Sequence, residues 1–198
     1  MPRVSRKQAE LNREIIVEAA TRLFRERGIH GISVSDVMAA AGLTHGGFYG
    51  HFESREALAT EACNRAFEQS SERWQARVEQ SPDPEAARLA LIDPYLSAAN
   101  RDNPGDSCPV AAFAGEMCHE AADSALQRSF IQGFEASMGI LAATQTTGTP
   151  EGDRQAAIAQ YAMMVGALTL ARATKGNGLS DEFLAAARNL LIPEKNLG

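Results

Sequence analysis

Cysteine is scarce, with only Cys63, Cys108 and Cys118 among 198 residues. An odd, sparse set argues against a disulfide framework and for a reducing, cytoplasmic setting. The chain also lacks a Gly-rich phosphate loop, a G-x-S-x-G elbow and an H-E-x-x-H pair, so the common phosphate-handling, acyl-transfer and zinc chemistries find no support. Cys118 and His119 are neighbours and diverge on a helix, which is poor metal geometry. No cofactor or metal is therefore expected, and a helical enzyme is the least supported class. Long apolar runs are missing, which argues against a membrane span. The basic start, MPRVSRKQAELNRE, leads into charged helix rather than an apolar signal segment, which argues against export. Alternating strands are absent too, as are internal repeats and low-complexity segments.

What remains is helical spacing on an Ala-rich background. From about Gln8 to Arg27, Leu11, Ile15, Ala19 and Leu23/Phe24 share a face, and Gly28 is a natural stop. Ser33-Val34-Ser35-Asp36 reads as a capping box that opens a short helix to about Ala41, closed by Gly42. Thr44 is an N-cap candidate for the next helix, and Ser54 caps a long one to about Glu79. Ser81-Pro82-Asp83-Pro84 closes that helix. Further helices are expected over about 85–100, 108–122, 124–144, 152–174 and 180–191, with Pro94 able to kink the first. The expectation is an all-α chain in two parts: a head, residues 1–53, and a body, residues 54–198.

Net charge is −6, which on its face disfavours nucleic acid. Its distribution matters more. Residues 1–55 carry eight Lys/Arg against six Asp/Glu (+2), leaving eleven against nineteen (−8) for the rest. A relatively basic head on an acidic body suits a polyanion at one end only.

The stretch LTHGGFYGHFESREAL, from Leu43 to Leu58, carries the function. A capped helix, a Gly42 turn and a second helix from Thr44 have the layout of a helix-turn-helix, whose second helix lies in the DNA major groove. Adjacent glycines cost about 1 kcal/mol each in a helix relative to Ala. Gly46 and Gly47 instead let the backbone approach sugar and phosphate closely. Phe48 and Phe52 lie four apart and can pack inward together. Tyr49 then points elsewhere, with a hydroxyl suited to a phosphate oxygen, and His45 and His51 add donors. Arg55 stands beside a helix N-terminus that can itself hold phosphate.

The ordered marks AAxxLFxxxG (Ala19 to Gly28), the Ser33-capped helix, A-A-G-L (Ala40 to Leu43) and G-F-Y-x-H-F-x-S-R-E (Gly47 to Glu56) resemble the N-terminal domain of the TetR/AcrR family of bacterial transcriptional repressors. The likeness covers roughly residues 10–60. It implies a two-domain all-α homodimer whose C-terminal domain binds a small effector and releases double-stranded operator DNA. By position it makes Thr44, His45, Gly46, Tyr49 and His51 operator-facing. Many members have Lys where this chain has Arg55, and Lys or Arg at Gly46. Arg55 should keep the phosphate contact. With Gly46 lacking a side chain, readout falls to His45, Thr44 and the preceding helix, where Ser33 and Ser35 complete the DNA-binding set.

In the body, Ile158, Tyr161, Val165, Leu168 and Arg172 recur at helical spacing, as do Phe183, Leu184, Ala187 and Leu191. These are the candidate dimer interface, a four-helix contact of the kind the resemblance implies. An apolar effector cavity would draw on Trp74, Tyr95, Phe113, Met117, Phe130, Phe134 and Met163. Cys108, at a helix start before Pro109, completes that set. The helix dipole there favours thiolate, Asp106 and Glu116 oppose it, and a structural cysteine is the alternative. SCPVAAFAGEMCHE is similar to the matching helix in a subset of TetR-type regulators, some of which sense electrophiles or oxidants. The expectation is a repressor released from a palindromic operator by a small apolar or electrophilic effector. The alternative is a thiol switch through Cys108 with no separate ligand.

Overall fold

In the computed structural model, which describes residues 5–192, helix starts are set one after another by short polar side chains. Ser5 accepts the N–H of Gln8 to open α1 (Arg6–Arg27), and Ser33 with Asp36 makes a complete capping box for α2 (Val34–Ala40). Ser54 accepts from Ala57 to open α3 (Arg55–Glu79), and Asp83 from Ala86 to open α4 (Pro84–Tyr95). Each cap satisfies an N–H that helix geometry leaves orphaned. Then come α5 (Ala98–Asp102), a 3-10 turn (Pro104–Asp106), α6 (Pro109–Met117), α7 (Ala125–Ala142), α8 (Pro150–Ala173) and α9 (Leu179–Leu191). Among the described residues there is no strand. Arg3, in the basic N-terminal stretch, lies outside the described residues.

Three sequence expectations change. Residues 85–100, expected as one helix, divide at Leu96. The Asn100 side-chain amide there donates to the Tyr95 carbonyl at 2.7 Å, and Ser97 caps α5 anew. The helix expected over 108–122 stops at Met117, ahead of a loop in which Asp123 takes a positive φ of 61°. Finally, the segment after Thr44 is a single 3-10 stretch, His45–Gly50, and the Thr44 hydroxyl makes no cap.

The core runs without a break from head to body through α3. Leu58, Ala62 and Cys63 join Val17 and Ala20 of α1 in one buried cluster, and the Thr21 hydroxyl, which donates to the Val17 carbonyl at 2.7 Å, lies 3.4 Å from the Ala62 carbonyl. On its other side α3 meets α7 so closely that a Cβ on Gly133 would lie 2.2 Å from the Phe67 ring. Only glycine permits that approach. Helix α8 is long and apolar enough to cross a bilayer by length and composition, which the sequence reading did not anticipate. One side of it, with Tyr161, Met164, Leu168 and Ala171, is buried in the protein interior.

Candidate nucleic-acid interface and effector cavity

The head presents a polar, open ridge on an apolar anchor. Phe48 is fully buried and stacks on Phe52 at 5.6 Å between ring centroids, with Tyr49 edge-on to Phe48 at 5.2 Å. Arg13 covers the Phe52 ring at 4.7 Å. This anchoring leaves Tyr49 73% exposed, beside exposed Thr44, His45, Gly46 and Gly47. A Cβ on Gly46 would meet nothing within 4 Å, and one on Gly47 would make only ordinary contact with Met38 and Thr44. Internal packing therefore does not demand these glycines. Ser35 is exposed and His51 half-buried on the same unit.

Two of the sequence-derived DNA residues are occupied internally. The Ser33 hydroxyl donates to Asp36 Oδ2 at 2.6 Å and accepts the Asp36 N–H at 3.2 Å. The hydroxyl and, after it, the Ser33 backbone N–H, which donates to the same oxygen at 2.9 Å, hold the exposed Asp36 carboxyl below the usual carboxylate range. Arg55 was expected to face phosphate. Its Nη2 instead donates to the carbonyls of Ile29 and Ile32, the latter at 3.1 Å, fastening the α1–α2 loop.

That loop is gripped from the body as well. Glu116, in the last turn of α6, accepts the backbone N–H of Ile29 at 2.8 Å and of His30 at 3.0 Å, while His30 Nε2 lies 3.3 Å from Glu120. Gly28 there has φ 81°, and a Cβ on it would fall 2.9 Å from Glu116 Oε1. Sequence reasoning missed Glu116, because its partners are backbone groups 86 and 87 residues away. Gly28 gave only the local stop.

In the body a chain of rings runs Phe67–Phe130–Phe134–Tyr161–Trp74–Tyr95, successive centroids lying 5.1 to 6.4 Å apart. Beside it opens an apolar cleft of about 350 Å³, lined by Val110, Phe134, Met138, Ile158, Tyr161, Ala162 and Val165, with the Glu135–Arg154 ion pair (2.9 Å) in its wall. Of the expected effector residues only Phe134 lines this cleft. Trp74, Tyr95 and Cys108 line a separate recess of about 70 Å³. Phe113, Met117, Phe130 and Met163 line neither: the first three are buried in the core and Met163 packs against it. A larger groove of about 600 Å³, between the start of α3 and the α6–α7 connection, mixes Arg55, Glu56, Glu61, Asn64 and Glu120 with apolar Ile29, Ala59 and Leu126.

Cys108 is the residue before α6, with Pro109 in the first turn, as expected. It is buried, and its Sγ lies 3.6 Å from Tyr161 Oη. Burial, more than the neighbouring Cys108, pushes both Tyr95 and Tyr161 well above the usual phenol range. Tyr95 Oη and Ser107 Oγ are buried without a hydrogen-bond partner. Cys63 is pushed up to about 11 by burial.

The expected dimer set divides. Tyr161, Leu168, Leu184, Ala187 and Leu191 are buried within their own chain and offer a partner little surface. Helical periodicity marks an apolar face but not what covers it. Arg172 turns its guanidinium to the carbonyls of Asn100 and Arg101. Ile158 is exposed, and Val165 and Phe183 are half-buried. With Ala162, Leu170, Leu179, Ala186 and Leu190 they leave an apolar, small-residue outer surface on α8 and α9.

Residues 16–62 match the family described as bacterial regulatory proteins, tetR family. The HTH-type transcriptional repressor DhaR of a Mycobacterium species is 27% identical over 186 residues, spanning 91% of this chain and 92% of that one. A TetR transcriptional regulator from Chloroflexus aurantiacus superposes with a TM-score of 0.77 at 27% identity, covering 93% of this chain and 94% of that chain. The reduced form of Escherichia coli NemR shares the fold at a TM-score of 0.70 and 19% identity, over 90% and 95% of the two chains.

Proposed function

We propose that this chain, which belongs to the TetR family of bacterial regulatory proteins, is a cytoplasmic, dimeric repressor that leaves a two-fold-symmetric operator when a small apolar molecule enters its body. As a member of that family it is a DNA-binding transcriptional regulator of the helix-turn-helix type and not an enzyme. The observation that carries the finer reading is the ridge of Thr44, His45, Gly46, Gly47 and Tyr49, held out on the buried Phe48–Phe52 pair. In this reading Tyr49 and the open glycine backbone meet phosphates, while His45, Thr44 and Ser35 meet base edges. Ser33 shapes the head, and Arg55 fastens the α1–α2 loop through Nη2 while its remaining N–H donors face phosphate. Two heads must reach successive major grooves about 34–36 Å apart, and the part of the α8 and α9 surface outside the apolar cleft, with Leu170, Leu179, Phe183, Ala186 and Leu190, supplies the dimer contact.

The apolar cleft is the effector site. It includes Val110 of α6, and the far end of α6 carries Glu116 and its grip on the head loop. An occupant that prefers a shifted α6 therefore favours a different head orientation, by as much as its affinities for the two states differ. The test is binding to duplex DNA flanking the chain's own gene, measured at several salt concentrations. A two-fold-symmetric site should be preferred, with affinity falling steeply as salt rises. Equal binding to random duplex sinks the reading.

One observation favours a second route to release. Cys108 adjoins a recess of about 70 Å³ with unpartnered Tyr95 and Ser107 hydroxyls, too small for a quinone but open to hydrogen peroxide. Thiol and peroxide would give sulfenic acid and water, the thiol proton leaving with the departing hydroxide. Cys108→Ser should then abolish peroxide-dependent release while keeping DNA binding. Unchanged release in that variant excludes this route.

A further inference from the structure

Where the head meets the body, a second cleft of about 390 Å³ lies between α1, α5, α6 and the end of α8. Four cations line it, Arg25, Arg101, Arg172 and Lys175, against two carboxylates, Glu26 and Asp102. Both carboxylates are already taken: Glu26 pairs with Arg22 at 2.8 Å, and Asp102 with Arg101 and Lys175, each at 3.0 Å. Arg101 also pairs with Asp181.

Arg25 and Arg172 are the exceptions. Among the described residues neither forms an ion pair, and both use neutral acceptors. Arg25 donates to the Thr21 carbonyl and the Gln69 side chain, Arg172 to the Asn100 and Arg101 carbonyls. Each thus uses two of the five N–H donors of a guanidinium. Arg25 is 4% exposed and its Nη1 has no partner. Its surroundings are mixed, with Arg73 repelling the charge and Asp106 and Glu18 attracting it from a distance. Burial is the largest disturbance for both Arg25 and Arg172. A desolvated cation with no carboxylate in contact is expensive and calls for a nearer counter-charge.

We propose that this cleft binds a small organic anion, a carboxylate or a phosphate ester, held between Arg25 of the head and Arg172 of the body. A guanidinium offers a planar fork that fits either group. The volume admits a molecule of several heavy atoms and not merely chloride. Because the two arginines belong to different parts of the chain, an occupant ties α1 to α8. Its binding is therefore linked, reciprocally, to any change in head orientation. This goes beyond the repressor reading and uses residues that neither the DNA ridge nor the apolar cleft employs.

The test is calorimetric titration of the full-length protein with inorganic phosphate and, separately, with citrate, chloride holding ionic strength constant. Saturable binding at one site per chain is expected for at least one probe, preference for phosphate or citrate telling the ester from the carboxylate. Ala111→Glu places a carboxylate in the wall, and Arg172→Lys keeps the charge but removes the fork. Each should weaken binding by at least about tenfold, with helicity by circular dichroism unchanged. If Ala111→Glu loses helicity, Arg172→Lys decides alone. No saturable heat with either probe, or undiminished affinity in the folded variants, overturns the proposal. No DNA enters the measurement, so its failure is separate from failure of the operator reading.

Discussion

Glu116 of α6 holds the backbone N–H of Ile29 at 2.8 Å and so joins the body to the loop between the first two helices of the head. With the second bond to His30, the carboxylate satisfies two donors that no local side chain reaches. Glu116→Ala leaves them unpaired and should lower unfolding free energy by about 1–3 kcal/mol, read by urea denaturation. The variant should also answer effector less, because the lever between cleft and head is cut. A fully retained response would show that coupling runs elsewhere, through α3.

Phe48 and Tyr49 are adjacent but belong to different energy terms. Phe48→Ala empties a fully buried site and should destabilise the fold by about 3–5 kcal/mol. Tyr49→Phe should leave the melting temperature unchanged and weaken operator binding, since its hydroxyl end meets only solvent in the free protein. Equal losses of stability in the two variants would contradict this division.

Gly46 has open space where a side chain would begin. Gly46→Lys should fold as well as the parent and bind all duplexes more tightly. Its plot of log affinity against log salt should be steeper by about 1. A lower melting temperature or an unchanged slope would mean that the ridge does not lie against phosphate.

Acid should weaken the head through Asp36. Its folded-state pKa is depressed, mainly by Ser33. The associated stability is thus fully present above the unfolded value and lost as pH falls through the folded one. In Ser33→Ala the hydroxyl's share of that depression, the largest, is removed, while the backbone N–H at that position still donates to Asp36. The parent should exceed the variant in stability at neutral pH, and the gap should narrow as pH drops below the ordinary Asp range. A gap constant down to strong acid would show that the carboxylate has no part in it.

Local chemistry was the legible part. Ser33, Ser54 and Gly28 announce their helix ends within four residues, and the Phe48/Phe52 spacing announces which side faces inward. The family likeness rests on that same short stretch. What escaped was decided by distant packing. Arg55 reads only as a phosphate ligand, and nothing local announces that its Nη2 also ties down the carbonyls of Ile29 and Ile32. Tyr161 and Leu168 read as a partner surface until their own chain covers them. An apolar stripe states that a face must be buried, and only the fold decides against what. The effector residues fared worst, because any large side chain in a helical body fits the same pattern.

Trp74 is the chain's single tryptophan, and its ring stands 5.5 Å from that of Tyr161, a residue in the wall of the apolar cleft. Indole emission therefore comes from one address, next to the cleft proposed for the effector. A guest that shifts Tyr161 changes the colour or yield of that light directly, so occupancy can be followed in the native molecule with no attached dye.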